Sequence, residues 1–371
     1  MPHVPGLRVG QVRVTSLQGA ERASKPLPVV VSDIASPPPT ARNAGRARPV
    51  PWVELHRTAH GASYIGIVPT QVLNTPTSTG MAFWSLNPYI GCEFGCAYCY
   101  ARETHRWTVE RAANRRTAPA TAREAARLPA AKAFEQRILI KQNADEVLAR
   151  TLDPAKLGTT PIVIGSATDP YQPAERRYGI TRRVLEVFRH HEGLRIGIIT
   201  KSALVSRDVA LLAELSKQHR VTVHFSIASV DRELLRQLEP RSAAPHARLR
   251  AMARLTEHGV RCDVLIMPIL PGLTDGESEL RALMHACRAS GALAVTGGAL
   301  RMGPATRHTL LPWLDRHRPA LAARYRSHYS GQYVSRDYGV ALQQRLRDLK
   351  WEVGFDEVAS EAWRPMQGEL F

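Results

Sequence analysis

From residue 84 onward, short β-branched or apolar runs alternate with longer stretches in which apolar residues recur at helical spacing. The runs are FWSLNPYIG (83–91), PIVIGSA (161–167), LRIGIIT (194–200), RVTVHFSIA (220–228), RCDVLIMPI (261–269) and ALAVTGGAL (292–300), and a helical pattern follows each. Near-continuous apolar strands separated by amphipathic helices predict a mostly parallel sheet wrapped by helices. SRDVALLAELSKQ opens with Ser206 as an N-cap, and TDGESELRALMHACRASG runs from an acidic first turn to Gly291 as a stop. RILIKQNADEVLARTL adds a further short apolar stretch and helix between the first and second strands. Six strand–helix units are too many for a small flavodoxin-like sheet and fewer than the eight of a closed barrel. The expected class is therefore α/β, with an incomplete (β/α)6 barrel over 83–303. In such folds chemistry gathers at the carboxyl ends of the strands, which makes the residues just after each strand the ones to inspect.

The rest of the chain has a different texture. Residues 1–50, with SPPPTARNAGRARPVP, show turn formers and no sustained apolar period, which predicts a flexible basic leader. Residues 51–82 form a pre-barrel segment, and 304–371 a mainly helical basic extension with a tail. No run approaches the length of a membrane span, and the start lacks the layout of a secretory signal, so no membrane association and a cytoplasmic, reducing compartment are expected. There, clustered cysteines serve as metal ligands or catalytic thiols more often than as disulfides. The net charge of +17 is concentrated. Residues 1–50 carry seven Lys/Arg against two acids, 102–137 nine against four, and 301–350 ten against three, while the remainder is balanced. Surfaces of this kind suit DNA or RNA, or else are an ordinary solvated Arg-rich face.

Three of the five cysteines fall in SLNPYIGCEFGCAYCYARETH as Cys92, Cys96 and Cys99, spaced C-x3-C-x2-C after the first strand. A cubane [4Fe–4S] cluster normally takes four thiolates, so three leave one iron open to a substrate or cofactor. The string also continues to His105, and three thiolates with an imidazole suit structural zinc; such zinc, however, usually staples small modules that lack a core. A dithiol role for Cys96 and Cys99 would leave Cys92 without a purpose. Hydroxyls and one lysine recur at later strand ends: Thr168 and Asp169 in SATDPYQPAERR, Lys201 after GIIT, and Ser226 after VTVHF. A lysine at the mouth of a buried strand needs an anion.

The cysteine spacing, with Tyr98 just before the last thiol, resembles the signature of the radical S-adenosylmethionine (radical SAM) enzymes. Together with SATDPYQPAERR, ITKS, LEPR and PILPGLTD, it resembles the spore photoproduct lyase-like, or DNA repair photolyase-like, branch. The resemblance implies that Cys92, Cys96 and Cys99 bind the cluster and that its open iron chelates SAM. It further implies that reductive cleavage yields a 5′-deoxyadenosyl radical, and that a flavodoxin- or ferredoxin-type protein donates the electron. Tyr98 would lie near the adenine, Thr168, Lys201 and Ser226 would contact SAM, Asp169 would belong to the same cofactor site, and Arg241 of LEPR would assist. One departure matters: where authentic spore photoproduct lyases carry a hydrogen-donating cysteine, this chain has Ser166. A serine O–H bond is too strong for that role, so thymine-dimer reversal is not expected.

Cys287 lies on an apolar helical stripe with Leu280, Leu283 and Met284. Cys262 alternates with Val264 and Ile266 on one strand face, as a core residue or as an alternative hydrogen donor. The terminal QGELF resembles peptides that dock on the DNA sliding clamp through a glutamine and a Leu-Phe pair, here Gln367, Leu370 and Phe371. The expected function is a radical SAM enzyme acting on a nucleic acid or nucleic-acid-associated substrate. The alternatives are a radical SAM enzyme for a small molecule or protein, and a zinc-stapled nucleic-acid-binding module.

Overall fold

Residues 52–116 and 118–355 are described by a computed structural model. The basic leader and the tail residues Gln367, Leu370 and Phe371 lie outside the described residues. The strands are β1 (Val53–Arg57), β2 (Ser63–Ile67), β3 (Leu73–Asn74), β4 (Trp84–Leu86), β5 (Tyr89–Ile90), β6 (Arg137–Lys141), β7 (Ile162–Ile164), β8 (Arg195–Thr200), β9 (Arg220–Ser226), β10 (Arg261–Ile269) and β11 (Ala294–Ala299). They form two sheets. The larger has the order β11-β10-β9-β8-β7-β4-β3, with six parallel strands from β4 to β11 and β3 antiparallel at one edge. It does not close, as the count of strand–helix units predicts.

Alternation along these strands divides the sheet into two faces. Ile196, Ile198, Val221, Val223, Cys262, Val264 and Ile266 belong to one large apolar cluster with Leu185, Leu212, Leu215, Met252, Leu255, Leu283 and Met284 of the covering helices. Full burial of each such side chain contributes about 1.5–3 kcal/mol. The other face carries Gly197, Thr222, His224 and Asp263, and its upper end opens into a cavity. The helix Arg336–Val353 packs on the helix Glu277–Ala289 and on β11, so the carboxyl-terminal extension completes the same core.

Two expectations are corrected. FWSLNPYIG is not one strand: β4 joins the large sheet, and after Asn87 and Pro88 the chain enters β5 of a four-stranded sheet ordered β1-β2-β6-β5. Pro88 has no N–H for a ladder, so the run must break there. Ser206 is not an N-cap; it lies inside the short 3-10 helix Ala203–Asp208, which Ser202 caps by accepting from Leu204 N at 3.2 Å. Gly291 does end its helix, with φ of 87°. Among the described residues no helix is long and apolar enough to cross a membrane.

Ile198 is fully buried and paired in register with Ile164 and Val223. Ile198→Ala is expected to lower unfolding free energy by about 2–5 kcal/mol, read as an earlier urea midpoint with unchanged slope. A loss below about 1 kcal/mol would contradict this placement.

Candidate active site

The cysteine loop, residues 91–101, is held mainly from outside. Gly91 has φ of 87°, and a Cβ there would stand 2.7 Å from Phe134 O, so a side chain is barred by both backbone angle and space. Its carbonyl accepts from Thr168 Oγ1 at 2.6 Å and from Gln172 Nε2 at 3.0 Å. Cys92 N donates to Phe134 O and Ala97 N to Leu238 O, both at 2.9 Å. Arg102, almost fully buried, donates to Cys96 O at 2.8 Å and to Ala131 O at 2.9 Å, and pairs with Glu135 Oε1 at 2.6 Å. Arg241 donates to Glu93 O and pairs with the other oxygen of Glu135 at 2.6 Å. Glu135 therefore holds two arginines that grip the loop at two points. From the carboxyl-terminal extension, Thr309 Oγ1 donates to Ala97 O at 2.6 Å.

The loop roofs a cavity that encloses about 1030 Å³ counting its open mouth. Cys92, Cys96 and Cys99 line it together with Tyr98, Thr168, Asp169, Lys201 and Ser226, so eight residues singled out in the sequence converge on one space. Arg241 and Cys262 do not line it. Arg241 is tied to the outside of the loop, and Cys262 lies in the core between sheet and helices, its thiol directed at Val260 O at 3.7 Å. Burial pushes all three loop thiols up from their ordinary range, with the Arg102 charge opposing that rise at Cys99. Thiolates here need a nearby cation to be stable.

Among the described residues, no group of three Cys, His, Asp or Glu side chains is drawn together as a closed metal shell. The donor set nevertheless fits a three-thiolate cluster: the three thiols share one cavity, and Cys262 and Cys287 are both in the core. His105 does not fit a zinc site with them. It is absent from the cavity lining, its Nε2 lies 2.9 Å from Arg137 O, and burial holds its pKa down to about 4.

Opposite the thiols is a charged network that the motif reading missed. Lys201 Nζ donates to Ser226 Oγ, lies 5.6 Å from the centre of the Tyr98 ring and 3.9 Å from Glu239 Oε1. Glu239 has no exposed side-chain surface, accepts from Tyr98 OH, and pairs with the equally buried Arg248. Arg248 also donates to Ser226 O at 2.8 Å. Burial lowers the Lys201 pKa. Asp169 accepts from Thr200 Oγ1, Tyr171 N and Lys201 N at 2.7–2.9 Å, so its carboxylate fixes the two strand-end turns to each other. Glu239 stands in LEPR, two residues before the Arg241 that was singled out.

Ser166 lines the cavity with its hydroxyl 2.7 Å from Ser85 Oγ and 3.2 Å from Asn87 Nδ2, and its carbonyl accepts from Tyr100 OH.

The family model described as the radical SAM superfamily matches residues 86–284. An uncharacterized protein of Mycobacterium tuberculosis is 31% identical over 334 residues, covering 86% of this chain and 93% of that protein. One of Methanocaldococcus jannaschii is 27% identical over 202 residues, 54% of this chain and 66% of that protein. Among solved structures, spore photoproduct lyase complexed with dinucleoside spore photoproduct superposes with a TM-score of 0.56 at 14% identity, covering 78% of this chain and 79% of that one. A variant of the same enzyme with bound AdoMet and the dinucleoside gives 0.55 at 15% identity, covering 78% of each chain. At these identities the structural likeness is one of fold.

Arg248→Ala would leave Glu239 buried without its partner, and a loss of about 3–5 kcal/mol in stability is expected from denaturant melts. Glu239→Gln combined with Arg248→Met should recover much of it. Equal losses in single and double variants would contradict the pairing.

Proposed function

Because this chain belongs to the radical SAM superfamily, we propose that Cys92, Cys96 and Cys99 hold the [4Fe–4S] cluster its members use. The cavity then seats SAM, for radical chemistry on a nucleic acid or nucleic-acid-associated substrate. The carrying observation is the set of three thiols, Cys92 and Cys96 buried and Cys99 half-buried, sharing one cavity with Lys201. When bound and reduced, the cluster supplies the electron that cleaves SAM into methionine and the 5′-deoxyadenosyl radical, which takes a hydrogen atom from the substrate.

The chain's own residues have separable tasks. Lys201, held by Ser226 and facing Tyr98, offers an ammonium for the SAM carboxylate. Ser226 and Thr168 add hydroxyls at the same strand ends, and Asp169 positions the turns that carry Thr168 and Lys201. Arg241 acts on the loop as a positioning residue, through Glu93 O and Glu135. Phe94, Leu265, Met267 and Leu300 give the cavity an apolar wall that limits access of water to a radical. Ser166 is engaged by Ser85 and Asn87 and has no thiol, so hydrogen return to a thymine radical is not assigned to it.

The nucleic-acid reading is supported by how the charged segments meet. The helix Arg102–Ala113 packs against the helix Pro304–His317, so two basic stretches far apart in sequence adjoin beside the cysteine loop, and Arg301 lines the cavity itself. Arg111, Arg115, Arg316 and Arg324 are exposed on these segments. Like other radical SAM enzymes this one needs an electron donor, for which a flavodoxin or ferredoxin type in the cytoplasm is proposed.

Anaerobically prepared protein is expected to hold about four irons and four sulfides per chain, and Cys92→Ala, Cys96→Ala and Cys99→Ala should each lose them. Undiminished iron in any of the three would contradict the ligand assignment. Lys201→Ala should keep the cluster's visible absorption while weakening SAM binding about tenfold or more, the effect of one lost charge-assisted hydrogen bond. Binding to an oligonucleotide should fall steeply with salt; salt-independent or absent binding would point to a small-molecule or protein substrate.

A further inference from the structure

The parallel strands have two ends, and the cavity uses only the carboxyl ones. At the other end β8, β9 and β10 begin with Arg195, Arg220 and Arg261. Arg195 is in direct register with Arg220, and Arg261 with Thr222, two residues further along β9. Neighbouring strands lie about 4.8 Å apart, and like charges placed directly opposite each other destabilise a sheet. An acid would be the usual remedy. Arg261 has one, pairing with Asp263 Oδ1 at 3.2 Å. Among the described residues the Arg195 and Arg220 side chains have no hydrogen bond or ion pair.

The three arginines line one shallow surface crevice, about 300 Å³ when the open solvent at its mouth is counted, which also presents Thr222 and His224 over Gly197. Gly197 contributes no side chain, and the nearest group to where its Cβ would stand is the His224 ring, 3.4 Å away. Thr222 is 6% exposed, and its hydroxyl makes no hydrogen bond among the described residues. Burial, with the Arg261 charge adding to it, holds the His224 pKa down to about 3, so this ring adds no charge near neutrality. Three guanidinium groups against one carboxylate leave the crevice with a surplus of positive charge.

We propose that this crevice binds a phosphate group, carried by a small phosphorylated molecule or by the backbone of a nucleic-acid strand. Two guanidinium forks side by side match the oxygens of a phosphate, and a buried hydroxyl donor completes the set. The crevice is distinct from the SAM cavity: Arg195 and Thr200 are at opposite ends of β8, about 17 Å apart at the usual rise per residue, and SAM carries no phosphate. The inference does not rest on the chemistry proposed for the cavity.

The test compares the intact cluster-loaded protein with Arg195→Ala/Arg220→Ala, two exposed positions, in melting and titration experiments at matched ionic strength. The probes are inorganic phosphate and a short single-stranded oligonucleotide, with chloride as control. Phosphate is expected to raise the melting temperature of the intact protein but not of the double variant, whose affinity should be at least about tenfold weaker. Without phosphate the variant should melt no lower than the intact protein, because the opposed charges are gone. A difference with inorganic phosphate identifies a free phosphorylated ligand; a difference with the oligonucleotide alone identifies a strand backbone. If neither probe distinguishes the two proteins, the proposal is overturned.

Discussion

Three thiols are gathered at one cavity on a loop that can do little to hold itself, and the rest of the structure answers to that constraint. Residues 91–101 obtain their fixed shape from Phe134 and Leu238 carbonyls, from Thr168 and Gln172, and from Arg102, Arg241 and Thr309. These groups come from both sheets' connections and from the carboxyl-terminal extension. Glu135 makes the arrangement cooperative, because one carboxylate orients both arginines that grip the loop. Loop geometry that depends on so many separate elements is available only once the chain has folded, unlike that of a zinc-stapled module, which folds around its ion.

The same logic governs the wall facing the thiols. A buried ion pair such as Glu239 with Arg248 is weak evidence for stability, since desolvation offsets attraction. Its value here lies in orientation: Glu239 accepts from the Tyr98 hydroxyl and Arg248 donates to the Ser226 backbone carbonyl, so the two residues flanking Lys201 are each tied to the pair. Each strand thus separates two environments. Its carboxyl end serves a cavity that combines thiols with one ammonium, and its amino end exposes guanidinium groups lacking matched acids.

Much of this was legible in the sequence for identifiable reasons. Strands buried on both faces read as apolar runs, and parallel topology sends the residues after each run to one rim, so Thr168, Lys201 and Ser226 could be named without coordinates. What escaped was the consequence of burial. Arg102 and Arg137 counted toward a basic surface, yet both are buried and bound to backbone carbonyls or acids. Arg241 was placed beside SAM, whereas its guanidinium reaches the loop from behind. The small sheet stayed hidden because β1 and β2 are antiparallel neighbours whose partner β6 follows about seventy residues later, and no local pattern announces such a pairing.

The central claim is that the three thiols and the facing lysine generate a radical from SAM, and it is tested most directly by mixing the anaerobic protein with a strong reductant and SAM and quantifying the products. The account predicts 5′-deoxyadenosine and methionine in equal amounts from the intact protein and neither above background from Cys96→Ala. Intact, iron-replete protein that leaves SAM unchanged, or equal cleavage by the variant, would contradict it.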